Sequence, residues 1–437
     1  MLRQDKRSKI FALFIVEVIT LLVIGWLLNY QLPTNDFPFG GEFLKMTGFV
    51  FYLLSALQIV GYFGYWCVYH RIYKGFSYAY THSRLIRNIR NALLEAGNRY
   101  NMQEYTGEEI TTVIPKVRIW FSDNITEGKV FIQNTIKYHK LFEDINISSA
   151  LGKFVVTEQY LSDDMNTYIF EFETSEIKQL VFDNYNDFKQ HCNYLEDYTL
   201  FMDGKNKVPL HHALLVGSTG SGKTFSLYSL VLQLMNFNVQ PEIYFADPKN
   251  SSLYVLGNLI APTRTAETTE EIIDLLSTFY QAMTERQTEL KEHLGKRLDS
   301  DFKDWGLSVH VLIIDEFSSF QSVVNTLDKQ TRDNVAMYLT NIVQKGRQLG
   351  FYLWIAMQKS DSKIISTAIR DNLIFKVVLG NATDTTYQTA FEEYATLPRL
   401  KFGLGQGLYS YQGLTRQPVI CSFPTLKFDI LEVVNQL

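Results

Sequence analysis

The stretch LLVGSTGSGKTFSLYSLVLQL, Leu214–Leu234, decides the fold. Gly217, Gly222, Lys223 and Thr224 fit the spacing G-x-x-x-x-G-K-[ST], with Gly220 as an extra glycine inside the loop. HALLV before it reads as a short buried strand, and FSLYSLVLQLM after it reads as a helix. A glycine-rich turn between strand and helix lets backbone N–H groups face phosphate oxygens, and the helix N-terminus adds its positive end. Gly217, Ser218, Thr219, Gly220, Ser221, Gly222, Lys223 and Thr224 are therefore the candidate nucleotide cradle. Lys223 is expected to reach the β- and γ-phosphates, and the Thr224 hydroxyl to hold Mg2+. ATP and Mg2+ are the cofactors this pattern predicts.

Two further strand ends carry polar residues. HVLIIDEFSSF, His310–Phe320, predicts a buried strand that ends in Asp315 and Glu316. A carboxylate at such a tip holds the Mg2+ shell, a role assigned to Asp315. A second carboxylate beside it can polarise an attacking water, a role assigned to Glu316. The pair argues for hydrolysis rather than mere binding. FYLWIAMQ, Phe351–Gln358, predicts a third strand, and Gln358 at its tip is the candidate for sensing the γ-phosphate or orienting water. An acceptor pocket and lid, which a nucleotide kinase needs, leave no sign in the sequence.

The bulk composition bounds the setting. The chain has 437 residues, 46% of them hydrophobic and 20% charged, which suits a folded protein of two or three domains. A net charge of −5 implies no particular partner and does not exclude nucleic acid, since basic groups can concentrate in a pore. Cys67, Cys192 and Cys421 are scattered, without metal-ligand or redox spacing, and read as free thiols in a reducing compartment.

Ile10–Leu28 and Met46–Tyr69 are apolar stretches, each long enough to cross about 30 Å of hydrocarbon as a helix. Arg3, Lys6, Arg7 and Lys9 precede the first; Arg71, Lys74, Arg84, Arg87 and Arg90 follow the second; the link between them carries Asp36 and Glu42 and a single basic residue, Lys45. The excess of Lys and Arg predicts an uncleaved hairpin in the cell membrane, with both chain ends cytoplasmic. Glu17 reads as a boundary residue or a helix–helix hydrogen bond in preference to an ion path.

Downstream, His82–Tyr100 reads as a basic amphipathic helix, open to two roles: a partner for lipid headgroups or a solvated linker. From Ile110 to Thr174 come short β-rich runs, with helical spacing in HKLFEDINISSAL, His139–Leu151. The pattern predicts a small α+β module between membrane and motor. The expected organisation is residues 1–72 membrane anchor, 73–109 basic linker helix, 110–200 α+β adaptor and 201–437 ATPase.

Five segments follow the P-loop in order: ADPKNSSLYVLG (Ala246–Gly257), AMTERQTEL (Ala282–Leu290), VLIIDEF, QKGRQLGFYLWIAMQKSD (Gln344–Asp361) and IRDNLIFKVVLG (Ile369–Gly380). Together they resemble the FtsK/SpoIIIE family of membrane-anchored DNA-translocating ATPases, over roughly Val208 to Gln412. Within it the chain looks most like the short coupling ATPases of Gram-positive conjugative elements. The resemblance implies a RecA-like α/β fold with a parallel central sheet, a homo-hexameric ring and DNA in its pore. It also implies ATP at subunit interfaces, with Arg370 or Arg347 as the arginine acting in trans, Arg370 preferred. Asp247-Pro248-Lys249 should lie near the active face, and Arg286–Gly306 places basic residues between the motor strands. DNA contacts through phosphates would be salt-sensitive and sequence-tolerant.

The large cell-division members have four spans and a C-terminal winged-helix module. Two spans and an end at Leu437 fit delivery of one DNA molecule to a transfer channel better, with a relaxase and channel proteins as implied partners. Rival readings are an ATPase driving protein secretion, a chromosome or plasmid segregation motor, and a nucleotide-binding membrane scaffold. Secretion ATPases usually hold several tandem modules, whereas one P-loop is present here. A pure binder needs neither Glu316 nor Gln358.

Overall fold

A computed structural model describes residues 6–31, 40–99, 103–106, 109–112, 114–134, 142, 147–174, 178–294, 297, 300–360, 364–392 and 400–436. Residues 32–39 of the link expected between the spans, most of HKLFEDINISSAL and part of Arg286–Gly306 lie outside the described residues. The chain forms two units, Met1–Ser175 and Glu176–Leu437.

The second unit is built on an eight-stranded sheet. Its strands in chain order are β1 (Ala213–Gly217), β2 (Glu242–Ala246), β3 (Thr265–Ala266), β4 (His310–Ile314), β5 (Phe351–Met357), β6 (Phe375–Leu379), β7 (Gln406–Tyr411) and β8 (Val419–Ser422). Their spatial order is β3-β2-β4-β5-β1-β6-β7-β8. Six strands run parallel, from β3 through β6. The expected parallel sheet is thus extended by two antiparallel strands, β7 and β8. HVLII, FYLWIAM and ALLVG are buried along their whole length. Continuous apolar runs of this kind belong to parallel strands covered on both faces.

Residues expected in the adaptor belong to this unit. Phe182, Phe188, Tyr198 and Leu200 share its hydrophobic core with Leu215, Leu230 and Ile313. Val181–Phe182 pairs in parallel with Thr425–Leu426. The expected boundary at 200/201 therefore falls too late, because a pairing across more than two hundred residues draws the earlier segment in.

In the first unit, helices Lys6–Trp26 and Gly40–Tyr69 supply two candidate spans, Phe11–Tyr30 and Gly41–Tyr69. Only 11% of each apolar window is buried inside the chain, unlike the core helix of a soluble protein. Gly25 and Gly48 let the helices approach closely: a Cβ on Gly25 would sit 3.1 Å from the Gly48 carbonyl oxygen. Glu17 accepts a hydrogen bond from Gln58 Nε2 at 3.0 Å, the helix–helix contact among its expected roles.

The helix Phe76–Arg99 does not stand apart as a linker. Its Tyr78, Leu85, Ile86, Ile89 and Leu93 are buried against Val117, Ile119, Val130, Phe170 and Phe172 of a four-stranded antiparallel sheet. That sheet has the order Val117–Phe121, Glu127–Gln133, Thr167–Thr174, Phe154–Leu161. The helix is amphipathic, as its spacing predicts, but the partner of its apolar face is the module itself.

Candidate nucleotide site

The strand order builds the site. β5 lies between β1 and β4, with Val216 opposite Met357 and Ile314 opposite Ile355. Gly217, Asp315 and Gln358 therefore emerge at the carboxyl ends of three neighbouring strands, where open parallel sheets bind ligands. β2 pairs with β4, Ala246 opposite Ile314, which adds Asp247 and Lys249 to the same edge.

After β1 the chain turns through Ser218–Gly222 into the helix Lys223–Met235. Gly222 has φ +94°, and a Cβ there would lie 2.5 Å from the Gly405 nitrogen. Only glycine serves at a position that is both left-handed and this crowded. Gly405 N donates to the Ser221 carbonyl at 2.8 Å, so the segment before β7 braces the loop from outside. Gln179 Nε2 holds that segment in turn, donating to Leu404 O at 3.2 Å and Phe423 O at 2.6 Å. The sequence reading missed this brace; the glycines of GLGQG, Gly403–Gly407, were its only signal.

Lys223 Nζ lies 2.6 Å from Asp315 Oδ1 and 3.2 Å from Glu316 Oε1. All three side chains are buried. Glu316 also receives Lys249 Nζ at 3.0 Å and Gln358 Nε2 at 3.0 Å. Its backbone is left-handed, φ 48°, and its N–H donates to Asp315 Oδ1 at 2.8 Å. Burial pushes the Glu316 carboxyl up, but the Lys223 charge and hydrogen bonds from Lys249, Lys223 and Gln358 outweigh it, and the net direction is down. Glu316 is thus kept ionised. Asp247 is spent locally: it accepts from Ser251 N at 2.8 Å, Ser251 Oγ at 2.6 Å and Tyr254 N at 3.2 Å, which fixes the turn carrying Lys249.

These groups border a cavity of about 320 Å³ with the P-loop as its floor. The residues present fit a magnesium–nucleotide complex. The glycine cradle leaves room that a Cβ would fill. Ser221 Oγ is buried without a hydrogen-bond partner among the described residues. Thr224 and Asp315 line the cavity as a hydroxyl and a carboxylate, the oxygen donors Mg2+ prefers. Phe225 and Leu404, both exposed, add apolar surface beside the loop.

The two candidate trans arginines are not brought to this cavity. Arg347 ends the helix Lys329–Leu349 that feeds the start of β5, at the opposite edge of the sheet. There it lines a groove of about 660 Å³ with Lys291, Lys345 and Asp301. Arg370 Nε lies 3.6 Å from Glu392 Oε1, which also pairs with Lys376 Nζ at 2.7 Å. Each arginine lies away from the phosphate loop of its own chain.

No family model matches the chain. It is 29% identical over 182 residues to the FtsK domain-containing protein YdcQ of Bacillus subtilis, covering 42% of this chain and 37% of that protein. It is 26% identical over 236 residues to the DNA translocase FtsK of Haemophilus influenzae, covering 46% of this chain and 42% of that protein. With the DNA translocase SpoIIIE of B. subtilis it shares 25% identity over 206 residues, 43% of this chain and 24% of that protein. The chain thus spans less than half the length of these curated relatives. Among solved structures, the pCW3 conjugation coupling protein TcpA in its monomer form with ATPgS aligns over 80% of this chain and 99% of that one, at 16% identity and a TM-score of 0.47. Through its P-loop ATPase unit, the chain is similar in sequence to the FtsK/SpoIIIE DNA translocases, as its ordered motifs imply.

Proposed function

We propose that this chain is a membrane-anchored ATP hydrolase that drives DNA translocation, and that it serves as the coupling protein delivering DNA to a conjugative transfer channel. The observation that carries the reading is the cluster of Lys223, Asp315, Glu316 and Gln358 at adjacent strand tips above a glycine cradle. Binding alone requires the cradle and Lys223; the paired carboxylate and amide serve hydrolysis.

The P-loop amides and Lys223 bind the phosphates, and Lys223 exchanges its carboxylate partners for phosphate oxygens. Thr224 and Asp315 would hold Mg2+, which would supply neutralisation of charge on those oxygens. Gln358 orients the attacking water. Glu316 takes a proton from that water as the bond from the γ-phosphorus to its bridging oxygen breaks. In a homo-hexameric ring, Arg370 or Arg347 of one subunit stabilises the developing charge in its neighbour's site; Arg370 must first leave Glu392.

The two spans anchor the ring with both chain ends and the ATPase in the cytoplasm. One P-loop beside a membrane hairpin fits a dedicated export motor, with a relaxase and channel proteins as its partners. The test uses the full chain in lipid nanodiscs, with ATP hydrolysis followed with and without duplex DNA across a salt series. Stimulation at low salt that fades as salt rises is expected, because phosphate contacts release counterions. Hydrolysis that ignores DNA in assembled rings overturns the reading in favour of a polypeptide cargo. For the conjugative role, Lys223→Ala should abolish transfer between cells and leave chromosome segregation intact.

A further inference from the structure

We propose that the exposed face at the start of the helix Phe76–Arg99 docks on the inner leaflet, its aromatic rings in the interface and Arg84 and Arg87 on acidic phospholipid headgroups. This rests on the reading of Gly41–Tyr69 as a membrane span.

Three observations carry it. The first is the composition of the free face. The opposite face is committed to the module core through Tyr78, Leu85, Ile86, Ile89 and Leu93. Outward near its start are Phe76, Ser77, Tyr80, Arg84 and Arg87, with Phe76, Tyr80, Arg84 and Arg87 at helical spacing along one stripe and Tyr73 just before it; Asn91 and Glu95 are exposed further along, beyond the arginines. Tyr73, Phe76 and Tyr80 are 75%, 69% and 53% exposed. Phe76 and Tyr80 stack on each other, ring centroids 6.5 Å apart, and leave their outer surfaces bare. Clustered rings of this size facing water are costly, whereas Tyr and Phe beside a bilayer find an interface that suits both rings and hydroxyls.

The second is depth. His82, two turns into the helix, has its Nδ1 2.8 Å from Nδ1 of His70, the residue directly after the span. Both rings are buried, and the Tyr69 ring lies 6.2 Å from that of His82. The first two helical turns are therefore clasped to the inner end of the span. Their free face lies at headgroup level wherever the span is inserted.

The third is rigidity and charge. The elbow between span and helix is fixed by Arg71 in the left-handed region, φ 56°, and by Lys74 Nζ on Asp123 Oδ1 at 2.7 Å. Arg84 and Arg87 are exposed and point along the same stripe as the rings. A juxtamembrane basic pair beside aromatic anchors is complementary to the negative surface of a cytoplasmic leaflet.

The test uses the full chain with Cys67→Ser and Cys192→Ser, reconstituted in vesicles and labelled with an environment-sensitive fluorophore at one new cysteine. Ser77→Cys reports the proposed face while leaving its rings in place. Met165→Cys is the distant control, since the turn holding Met165 is at the opposite end of the sheet from Asp123. Leu53→Cys reports insertion of the span. The quencher for the Ser77 and Met165 probes is a lipid spin-labelled near its headgroup, and that for the Leu53 probe is a lipid spin-labelled deep in its acyl chain. In vesicles of phosphatidylcholine with phosphatidylglycerol, the Ser77 probe should be quenched at least about twofold more than the Met165 probe. Phe76→Ser with Tyr80→Ser should remove the difference. Arg84→Gln with Arg87→Gln should reduce it in the acidic vesicles and not in pure phosphatidylcholine. Equal quenching at Ser77 and Met165, with Leu53 deeply quenched, overturns the docked face and leaves the anchor standing. Insensitivity to the arginine changes overturns the acidic-lipid assignment. An unquenched Leu53 probe removes the anchor reading and this inference with it.

Discussion

Lys249 Nζ lies 3.0 Å from Glu316 Oε2, while the other Glu316 oxygen receives Gln358 and Lys223 at 3.0 and 3.2 Å. The carboxylate proposed as general base is thus held by two ammonium groups. On the proposed mechanism phosphate draws Lys223 away, and Lys249 is then the remaining clamp. Lys249 is partly exposed, unlike the buried Lys223. Lys249→Ala should raise hydrolysis in the absence of DNA by about 2- to 5-fold. Because Lys249 lowers the Glu316 pKa, its loss raises that pKa, and the acid limb of the rate profile should move to higher pH. Rate–pH profiles of the two purified proteins check this, and coincident acid limbs would refute the clamp.

Lys223→Ala removes the cation between Asp315 and Glu316 as well as the phosphate ligand. Hydrolysis should fall by about 100-fold or more. Titration with a fluorescent ATP analogue should show weakened binding. Wild-type affinity and turnover would show that the phosphates sit elsewhere.

Glu316→Gln keeps the shape of the side chain and loses its charge. Nucleotide binding should persist while kcat drops by about 100-fold or more. The variant also reports linkage. The folded Glu316 carboxyl lies below its ordinary 4.5, so its contribution is full above that value and is lost as pH falls through the folded pKa. The Tm advantage of wild type over Glu316→Gln should therefore narrow as pH is lowered below about 4.5. Thermal melts across acid pH measure it.

Gly222→Ala meets two obstacles at once, a left-handed backbone and the Gly405 nitrogen 2.5 Å from the new Cβ. Destabilisation of roughly 1–3 kcal/mol is expected, together with weaker nucleotide binding. A denaturant melt and a nucleotide titration check the two parts separately. Unchanged values in both would show that loop and brace are not coupled as described.

Much of the site was legible because its residues sit at the ends of continuous apolar runs. Lys223, Asp315, Glu316 and Gln358 each follow a run that reads as a buried strand, or close the loop after one. Their meeting follows from strand order, which no single run reveals. The brace was not legible: Gln179 reaches Phe423 and Leu404 across more than two hundred residues, and no local pattern marks a pairing of that range. The same holds for Phe182 and Phe188, whose apolar character is plain but whose core could be chosen only in three dimensions. The helix Phe76–Arg99 shows the limit of periodicity. Spacing identified its apolar face, but not whether lipid, solvent or the neighbouring sheet would cover it.

β5 begins immediately beyond Arg347 and Gly350 and ends at Met357, directly before Gln358, all seven of its residues buried between β4 and β1. At about 3.3 Å per residue it runs roughly 20 Å without a bulge or break. Laddered on both sides, such a strand is stiff and shares any load with β4 and β1. The Arg347 groove and the Gln358 amide thus stand at the two ends of one continuous buried strand, and a push on the far edge is spread over three strands before it reaches the phosphate edge.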